Sequence, residues 1–409
     1  TWFSSGSWTF STLEWPDKNW RHDFHPTNFI QMGYEILYLW LMRMILMSAY
    51  AIGEIPFKDA YIHGILRDKD SKKYSKSSDN GLDPLEIIDE YGCDALRLSV
   101  LSGISPGNDS RFYTEKVEGS RNLVNKLWNV SRFIGMSTGS LHHVDSIKPQ
   151  TLADRWILAR FSETQDKVEK LMEQFDFSLA TEILRDFTWN EFADWYLEIA
   201  KIEGPSTGSG SSKGDILNYL LERLLILWHP FMPFVTEEIY KQYDCGLIMV
   251  AKWPEAQGKL AAKDEEAMEK LQDIITRARD FRANFQLATI DATILGGTKF
   301  VEDNRVIIMG LAKIGNLHTG SAEGDEDDIA SIAITLHPPE GFDATKQLEK
   351  IDKELASTKK YISSVTGKLA NADFVANAPA AVVESEKAKL AEAEGKLQAL
   401  EQQLRALAI

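Results

Sequence analysis

The feature that most constrains the fold is a heptad repeat near the end of the chain. Two apolar runs at a and d spacing are separated by the break Asn377-Ala378-Pro379. The first run is Leu348, Ile351, Leu355, Ile362, Val365 and Leu369, and the second is Val383, Leu390, Ala393, Leu397, Leu400, Leu404 and Leu407. This pattern is typical of coiled-coil helices. Because the break contains proline, it favours an antiparallel helical hairpin over residues 339–409. A dimerisation coiled coil is the alternative.

The preceding residues divide into three segments by their apolar periodicity. Residues 1–112 alternate strand and helix patterns, such as Asn28–Met32 followed by Tyr34–Ala51, which predicts an α/β layer. Residues 113–256 have helical spacing, which predicts a helix bundle. Its expected helices are Val117–Phe133, Ala153–Met172, Ser178–Glu203 and Asp215–Tyr240. Residues 257–338 predict a small α/β unit. Its expected elements are a helix at Asp264–Asn284 and β-rich runs at Thr289–Leu295 and Ile329–Leu336.

Composition limits the fold and the classes of function. A chain of 409 residues is long enough for two to four domains, and its longest apolar runs are too short to span a membrane. Its two cysteines, Cys93 and Cys245, cannot supply a structural zinc cluster, so we expect no metal and a reducing, cytoplasmic setting. The net charge of −16 argues against a general nucleic-acid-binding surface. Basic patches still occur, because Ala344–Ala370 holds six lysines against three acids. The Gly/Ser-rich run 204–212 is typical of a flexible linker.

A lysine-rich loop is the clearest chemical motif. It reads Lys72-Lys73-Tyr74-Ser75-Lys76-Ser77, and the stretch Arg67–Lys76 contains five basic and two acidic side chains. Such a loop would attract a polyanion such as a triphosphate. A solvated surface turn is the alternative.

Several blocks along the chain carry one resemblance. They are Thr1–Ser5, Phe10–Leu13, Trp15–Asp17, Gly33–Leu37, His63–Asp68, Tyr91–Arg97, Asn125–Asn129, Asp154–Leu158, His229–Phe234 and Phe374–Ala376. Together with the lysine loop, which differs by one residue from the signature KMSKS, they resemble the valyl-tRNA synthetase family of class I aminoacyl-tRNA synthetases. The resemblance runs from Thr1 to the end of the chain and is weakest between about 257 and 340.

The resemblance implies a multi-domain fold, α/β plus α. Residues 1–112 would be the C-terminal half of a Rossmann-like catalytic domain, and residues 113–256 a helical-bundle anticodon-binding domain. Residues 257–338 would be a small α/β domain, and residues 339–409 a coiled-coil tRNA-binding arm. The implied activity is activation of valine with ATP, accompanied by Mg²⁺, and transfer of valine to tRNA(Val). The resemblance also implies a monomer.

The resemblance implies roles for residues of the lysine loop and the strand before it. Lys73 and Lys76 would be catalytic, giving charged hydrogen bonds to the leaving pyrophosphate. The residues implied to bind ATP are Lys73, Ser75, Lys76, Ser77, His63 and Gly64. Trp2 and Ile36 would line the valine pocket. Ordinary core packing is the alternative for Trp2 and Ile36, a structural role is the alternative for His63, and plain solvation is the alternative for Lys73.

Two further sets of residues are implied to bind tRNA. Arg121, Lys126, Arg132 and Phe133 are predicted to share one helical face, where cations meet phosphates and a ring stacks on an anticodon base. Core packing is the alternative for Phe133. On the arm, the implied phosphate-binding residues are Lys346, Lys350, Lys353, Lys359 and Lys360. A solvated coiled-coil flank is the alternative for those lysines.

The sequence also departs from the family pattern. Tyr74 replaces Met, Asp79 stands in place of the usual Gly, and Glu35 replaces the more usual Asp. The signature HIGH and the editing domain are absent, so we expect the C-terminal part of an enzyme whose N-terminal half is deleted or acts in trans. One alternative is a non-catalytic tRNA-binding or scaffolding protein derived from a synthetase. Another is a relative specific for isoleucine or leucine, which the block Phe10–Pro16 and the paired C-terminal helices disfavour.

Overall fold

The computed structural model describes most of the chain as two compact units, Thr1–Glu265 and Glu266–Ile409. The described residues are 1–74, 81–204, 212–255, 262–320, 328–339, 344–370, 387, 389–390, 393–397 and 400–401. Ser75, Lys76, Ser77 and Asp79 lie outside them, as do the break at 377–379 and nearly all of the linker. Among the described helices, none combines the length and apolarity needed to cross a membrane.

The first unit begins with helix α1 (Trp2–Ser11) and a βαβ arrangement. Strands β1 (Thr27–Gly33) and β2 (Phe57–His63) are parallel, and helix α2 (Met42–Ala51) lies between them in the chain. The predicted helix over 34–51 is confirmed, but it opens as a 3₁₀ turn and a π-helical turn before residue 42. Its apolar core consists of Ile30, Met32, Leu41, Met44 and Phe57.

A second pair of short strands follows. β3 (Leu66–Arg67) pairs in parallel with β4 (Ser110–Arg111), and helices α3 (Pro84–Tyr91) and α4 (Cys93–Leu101) lie between them in the chain. The Asp83 carboxylate accepts a hydrogen bond of 2.9 Å from Leu85 N, which satisfies one of the free N–H groups at the start of α3. The α/β alternation predicted for residues 1–112 is therefore present.

The helical pattern predicted after residue 113 is also confirmed. Its helices are α5 (Thr114–Thr138), α6 (Leu152–Glu173), α7 (Phe177–Asp186), α8 (Leu197–Glu203), α9 (Lys213–Trp228) and α10 (Pro233–Tyr240). The expected single helix over 178–203 is π-helical in its middle, at Phe187–Tyr196. There the Thr188 hydroxyl donates to Leu184 O at 2.6 Å and accepts from the wholly buried Trp228 Nε1 at 3.0 Å. The helix predicted over 215–240 breaks before Pro233, the first residue of α10.

Helix α4 is joined to the bundle through Asp94. This carboxylate is 5% exposed and accepts hydrogen bonds from Phe234 N at 3.3 Å and Val235 N at 2.7 Å, in the first turn of α10. Arg97 adds a bond of 3.2 Å to the Pro230 carbonyl. Burial raises the pKa of Asp94, and the two N–H donors oppose that rise. Asp94 therefore caps α10 and ties it to the α/β layer.

A buried ion pair lies inside the bundle. Lys213, at the start of α9, is 3% exposed, and its ammonium is 2.5 Å from Asp154 Oδ1 and 2.5 Å from Glu203 Oε2. Asp154 is fully buried and also accepts a bond of 2.9 Å from the Tyr196 hydroxyl. It caps α6 as well, by accepting from the backbone N–H of Thr151 at 3.0 Å. Three helices thus meet at one carboxylate.

The second unit contains helix α11 (Ala262–Asn284), most of which lies in it, and a three-stranded sheet. β5 (Ile290–Leu295) is central, with β6 (Ile314–Gly320) parallel on one side and β7 (Ala333–His337) antiparallel on the other. Helices α12 (Thr298–Asp303) and α13 (Arg305–Ala312) connect β5 to β6. Both predicted β-rich runs are confirmed. Helix α14 (Ala344–Ala370) follows, and its Ile351 and Leu355 share an apolar cluster with Leu400 and Phe285.

Candidate active site

The carboxyl ends of β1 and β2 meet at one edge. Gly33 is the register partner of His63, so Glu35 and Ile36 leave β1 where Gly64 leaves β2. In parallel α/β sheets this edge is where ligands bind. A Cβ on Gly64 would lie 1.9 Å from the Asn108 carbonyl oxygen, so only glycine fits there.

His63 has a defined tautomer at this edge. Its Nδ1 lies 2.6 Å from the carbonyl oxygen of Gly64, so Nδ1 must carry the hydrogen and donate. Nε2 is consequently the acceptor nitrogen of the half-buried ring. An acceptor suits the amino group or hydroxyl of a nucleoside.

Asp109 organises the segment between β2 and the lysine loop. Its carboxylate accepts from Ile65 N at 2.8 Å, Arg67 Nε at 2.5 Å and the Tyr34 hydroxyl at 3.3 Å. The Ile65 N–H and the Arg67 guanidinium lower the pKa of Asp109, so it is charged at neutral pH. The sequence reasoning missed this residue, because nothing in its local pattern relates Asp109 to a loop about 40 positions earlier.

The lysine loop is fixed at its base. Arg67 and Lys73 form an antiparallel bridge, and the Asp68 carboxylate accepts from the backbone N–H groups of Asp70 at 3.0 Å and Lys72 at 2.8 Å. The Lys73 ammonium forms an ion pair with Glu35. Lys73 therefore points toward the end of β1, among the residues implied to hold valine and ATP.

Tyr74 has a packing role. It is half-buried and lies against the apolar cluster of Ile87, Ala95, Phe112 and Val117. Burial raises the pKa of its phenol, and the nearby Asp68 adds to the rise, so the phenol stays neutral. The aromatic residue in place of methionine thus anchors the start of the loop to the cluster.

The predicted valine-pocket residues occupy adjoining elements. Trp2 begins α1, is 42% exposed, and has the Arg43 guanidinium 4.5 Å from its ring centroid. Ile36 packs partly buried against the β1–β2 core. Trp40 lies in the π-helical turn that holds Leu37–Leu41, and it links this turn to α1 by donating from Nε1 to Ser5 O at 3.1 Å. Trp2 is therefore not a core residue, whereas Ile36 is partly one.

Two of the predicted tRNA contacts on α5 are engaged within the bundle. The Lys126 ammonium forms an ion pair of 2.7 Å with Asp194. The ring of Phe133 carries the Lys201 ammonium 4.7 Å from its centroid. Both residues therefore face the segment 187–203, and Phe133 is half-buried.

The other two, Arg121 and Arg132, are exposed. The prediction that all four side chains share one helical face is wrong. Five residues of α-helix separate Arg121 from Lys126, which corresponds to about 140° around the axis. Arg121 and Arg132 lie eleven residues apart, which is close to three whole turns of α-helix, so these two residues share the exposed face.

The arm lysines are partly described. Lys353, Lys359 and Lys360 are exposed on α14, and Lys359 lies 3.3 Å from Glu401. Lys346 and Lys350 lie in the same helix. Lys353 and Lys360 stand on the side of α14 away from Ile351 and Leu355, whereas Lys359 lies on the flank of the buried face, beside Glu401.

Comparisons with known families match three parts of the chain. Residues 1–112 match tRNA synthetases class I (I, L, M and V). Residues 154–294 match the anticodon-binding domain of tRNA ligase, and residues 343–408 match the valyl tRNA synthetase tRNA binding arm.

Curated relatives match the whole chain. A valine–tRNA ligase of Clostridium acetobutylicum is 37% identical over 100% of this chain and 48% of its own length. One of Geobacillus stearothermophilus is 37% identical over 95% of this chain and 47% of its own length. The chain thus spans about half the length of the curated relatives it matches.

A solved structure supports the fold. The LeuRS chain of an Agrobacterium radiobacter LeuRS–tRNA–LeuAMS complex matches with a TM-score of 0.53 and 20% identity. The match covers 63% of this chain and 33% of that one. The curated relatives confirm the predicted resemblance: along its whole length the chain is a homologue of valyl-tRNA synthetases, and its residues 1–112 match the class I tRNA synthetases.

Proposed function

We propose that this chain is part of a valine–tRNA ligase, to which it contributes the lysine loop, part of the valine pocket and the tRNA-binding domains. The observation that carries the proposal is the edge at Gly33 and His63. The class I match covers this edge, and the base of the lysine loop is tied to it through Lys73 and Glu35.

The chemistry has two steps. A carboxylate oxygen of valine attacks the α-phosphorus of ATP, the bond to the β-phosphate oxygen breaks, and pyrophosphate leaves. A ribose hydroxyl of the tRNA terminus then attacks the valyl carbonyl, its proton departs, and AMP leaves. Both steps depend mainly on positioning and charge stabilisation. Lys76 and Lys73 would donate charged hydrogen bonds to the pyrophosphate, supported by Ser75 and Ser77, while Mg²⁺ accompanies ATP.

Glu35 gives Lys73 a resting partner. The two side chains are 44% and 51% exposed respectively, so the ion pair is well solvated and of the weak surface kind. A triphosphate carries more charge than one carboxylate and would compete effectively for the ammonium. We propose that Lys73 exchanges Glu35 for the triphosphate when ATP binds.

The remaining parts complete the proposal. Arg121 and Arg132 present an exposed basic face to tRNA(Val), and a coiled-coil hairpin presents the arm lysines. The chain would act as a cytoplasmic monomer together with the N-terminal part of the ligase, supplied in trans. A pocket lined by Trp2 and Ile36 would separate amino acids by one methylene with only about 1–3 kcal/mol, so editing would fall to another domain.

The test is valine-dependent ATP–pyrophosphate exchange, measured with this chain alone and with a polypeptide that bears the HIGH signature. We expect exchange only in the mixture. Lys76→Ala should lower the rate about 100- to 1,000-fold, the loss typical of one charge-stabilising donor. Lys72→Ala is the matched control in the same loop and should leave the rate unchanged. An inactive mixture that still binds tRNA would favour the non-catalytic tRNA-binding alternative.

A further inference from the structure

Three metal-ligating side chains from distant parts of the first unit meet at one point. His143 lies between α5 and α6, Glu222 lies on α9, and Cys245 follows α10. One ligand atom from each residue lies within 4.8 Å of the other two. The proposed ligase chemistry uses none of these residues.

The contacts of His143 resemble those of a metal-binding histidine. Its Nδ1 lies 2.8 and 2.9 Å from the two carboxylate oxygens of Glu222. Its Nε2 lies 2.9 Å from Asp145 Oδ1. Metal-bound histidines usually donate their other ring N–H to a carboxylate, which fixes the tautomer. Asp145 Oδ1 is placed to accept the hydrogen on Nε2, which leaves Nδ1 to bind an ion.

The separations are compatible with a tetrahedral ion. Zinc bonds of about 2.0–2.3 Å to nitrogen, oxygen and sulfur place neighbouring ligand atoms roughly 3.3–3.8 Å apart. The Nδ1–carboxylate distance would open by about 0.5 Å, and the Cys245 sulfur would move in by about 1.5 Å at most. Cys245 lies in a short turn, where its Sγ donates to Tyr243 O at 3.3 Å.

Burial and charge also suit a cation. Glu222 is 5% exposed, whereas His143 and Cys245 are exposed, so an ion can enter from solvent and keep one water. The Glu222 carboxylate and the Cys245 thiolate would balance the two charges of zinc. Arg223 lies 3.6 Å from Glu222, but it also donates to the Tyr219 carbonyl at 3.2 Å. It would keep that bond when Glu222 turns to a metal.

We propose that His143, Glu222 and Cys245 bind one zinc ion, with water as the fourth ligand and Asp145 orienting the imidazole. Binding releases the thiol proton of Cys245 and the Nδ1 proton of His143 to solvent. The expectation of no metal depended on the number of cysteines, but a site with mixed nitrogen, oxygen and sulfur ligands needs only one cysteine. The ion would fasten the segment after α5 to α9 and to the turn after α10.

The test is titration of the chelator-treated 409-residue chain with Co²⁺. Thiolate ligation gives a sulfur-to-cobalt charge-transfer band, and the chain has two cysteines. We expect the band to saturate at one Co²⁺ per chain and to disappear when Zn²⁺ is added. Cys245→Ser should abolish it, while Cys93→Ser, the matched control, should leave it intact. A missing band, or one that survives Cys245→Ser, would overturn the proposal.

A second variant separates metal binding from folding. Asp145 is 92% exposed on its side chain, so Asp145→Asn should not disturb the fold. It should weaken Co²⁺ binding about 10- to 100-fold, as loss of a histidine-orienting carboxylate does. Unchanged affinity in this variant would exclude the role given to Asp145. Zn²⁺ should also slow disulfide exchange of Cys245 with a thiol reagent, and equal slowing at Cys93 would contradict the site.

Discussion

The ion pair of Asp154 and Lys213 supports a quantitative stability prediction. Replacing Asp154 with Asn keeps the size of the side chain and removes its charge. The Lys213 ammonium, only 3% exposed, then keeps Glu203 and the Thr151 hydroxyl, 2.8 Å away, as partners. Breaking a buried pair typically destabilises by about 3–5 kcal/mol. Because Glu203 remains, we expect the lower end of that range, about 3 kcal/mol.

Tryptophan fluorescence is a suitable assay. All eleven tryptophans lie in the unit Thr1–Glu265, so their signal reports the unfolding of that unit alone. For a unit of this size, about 3 kcal/mol corresponds to a fall in Tm of roughly 6–12 °C. Glu238→Gln, which breaks the exposed pair with Lys241, is the matched control and should leave Tm unchanged.

The pH dependence has a definite sign. Burial raises the pKa of Asp154, but Lys213 and the backbone donors outweigh it, so the pKa is lowered. Burial raises the pKa of Glu203, whereas the pKa of Asp154 is lowered, so of the two carboxylates beside Lys213 it is Asp154 that keeps its charge to lower pH. A lowered pKa stabilises the fold above the ordinary aspartate value, and this stabilisation is lost as pH falls through the folded-state pKa. The wild-type protein and Asp154→Asn should therefore converge in stability below about pH 3.8.

A double mutant completes the test. Asp154→Asn with Lys213→Met removes both charges, and part of the lost stability should return, because no buried ammonium lacks its second carboxylate and Glu203, whose pKa burial raises, can bind a proton. A Tm for Asp154→Asn within about 2 °C of the wild type would refute the reasoning, since that is less than 1 kcal/mol. So would additive losses in the double mutant.

Three further predictions concern the edge at Gly33 and His63, the base of the lysine loop and the exposed face of α5. Gly64→Ala should destabilise the first unit by about 1–3 kcal/mol, because its Cβ would meet the backbone of Asn108. Gly119→Ala, at an open helical site, should instead stabilise by about 0.5–1 kcal/mol, and equal effects in chemical denaturation would contradict this account. Tyr74→Ala should speed tryptic cleavage at the flanking lysines, while Tyr74→Phe should not; equal rates would exclude anchoring by the ring. Arg132→Glu should weaken tRNA binding and reduce the salt slope by about 1 or more, and an unchanged slope would remove this residue from the interface.

Periodicity was sufficient to predict most elements. The 3.6-residue apolar spacing predicted α5, α6 and α9 because each buries one continuous face. It did not predict the π-helical turns at Leu37–Leu41 and Phe187–Tyr196. In the second turn Thr188 is hydrogen-bonded to Trp228, 40 residues away, a contact that local spacing cannot reveal. β6 was missed because its glycines and polar residues give a weak strand pattern.

The candidate site shows a similar limit. The resemblance named Lys73, His63 and Gly64 from local blocks, and the edge brings them near Glu35. Asp109 and the packing of Tyr74 depend on contacts between residues far apart in the chain, which spacing cannot reveal. The false single face on α5 came from treating the six pairwise separations of these four residues as equivalent, although only two of them, 11 and 7 residues, are close to whole turns.

The position of Asp94 has a mechanical consequence for the chain. Its carboxylate holds the first N–H groups of α10, and the next residue, Ala95, belongs to the cluster that seats Tyr74. The residue that binds α10 and a residue of the cluster that packs against Tyr74 are therefore adjacent in the chain. If α10 shifts as a rigid body, it must either break both of its hydrogen bonds to Asp94 or carry α4 with it. A displacement of the helical bundle would then reach the base of the lysine loop through helix α4.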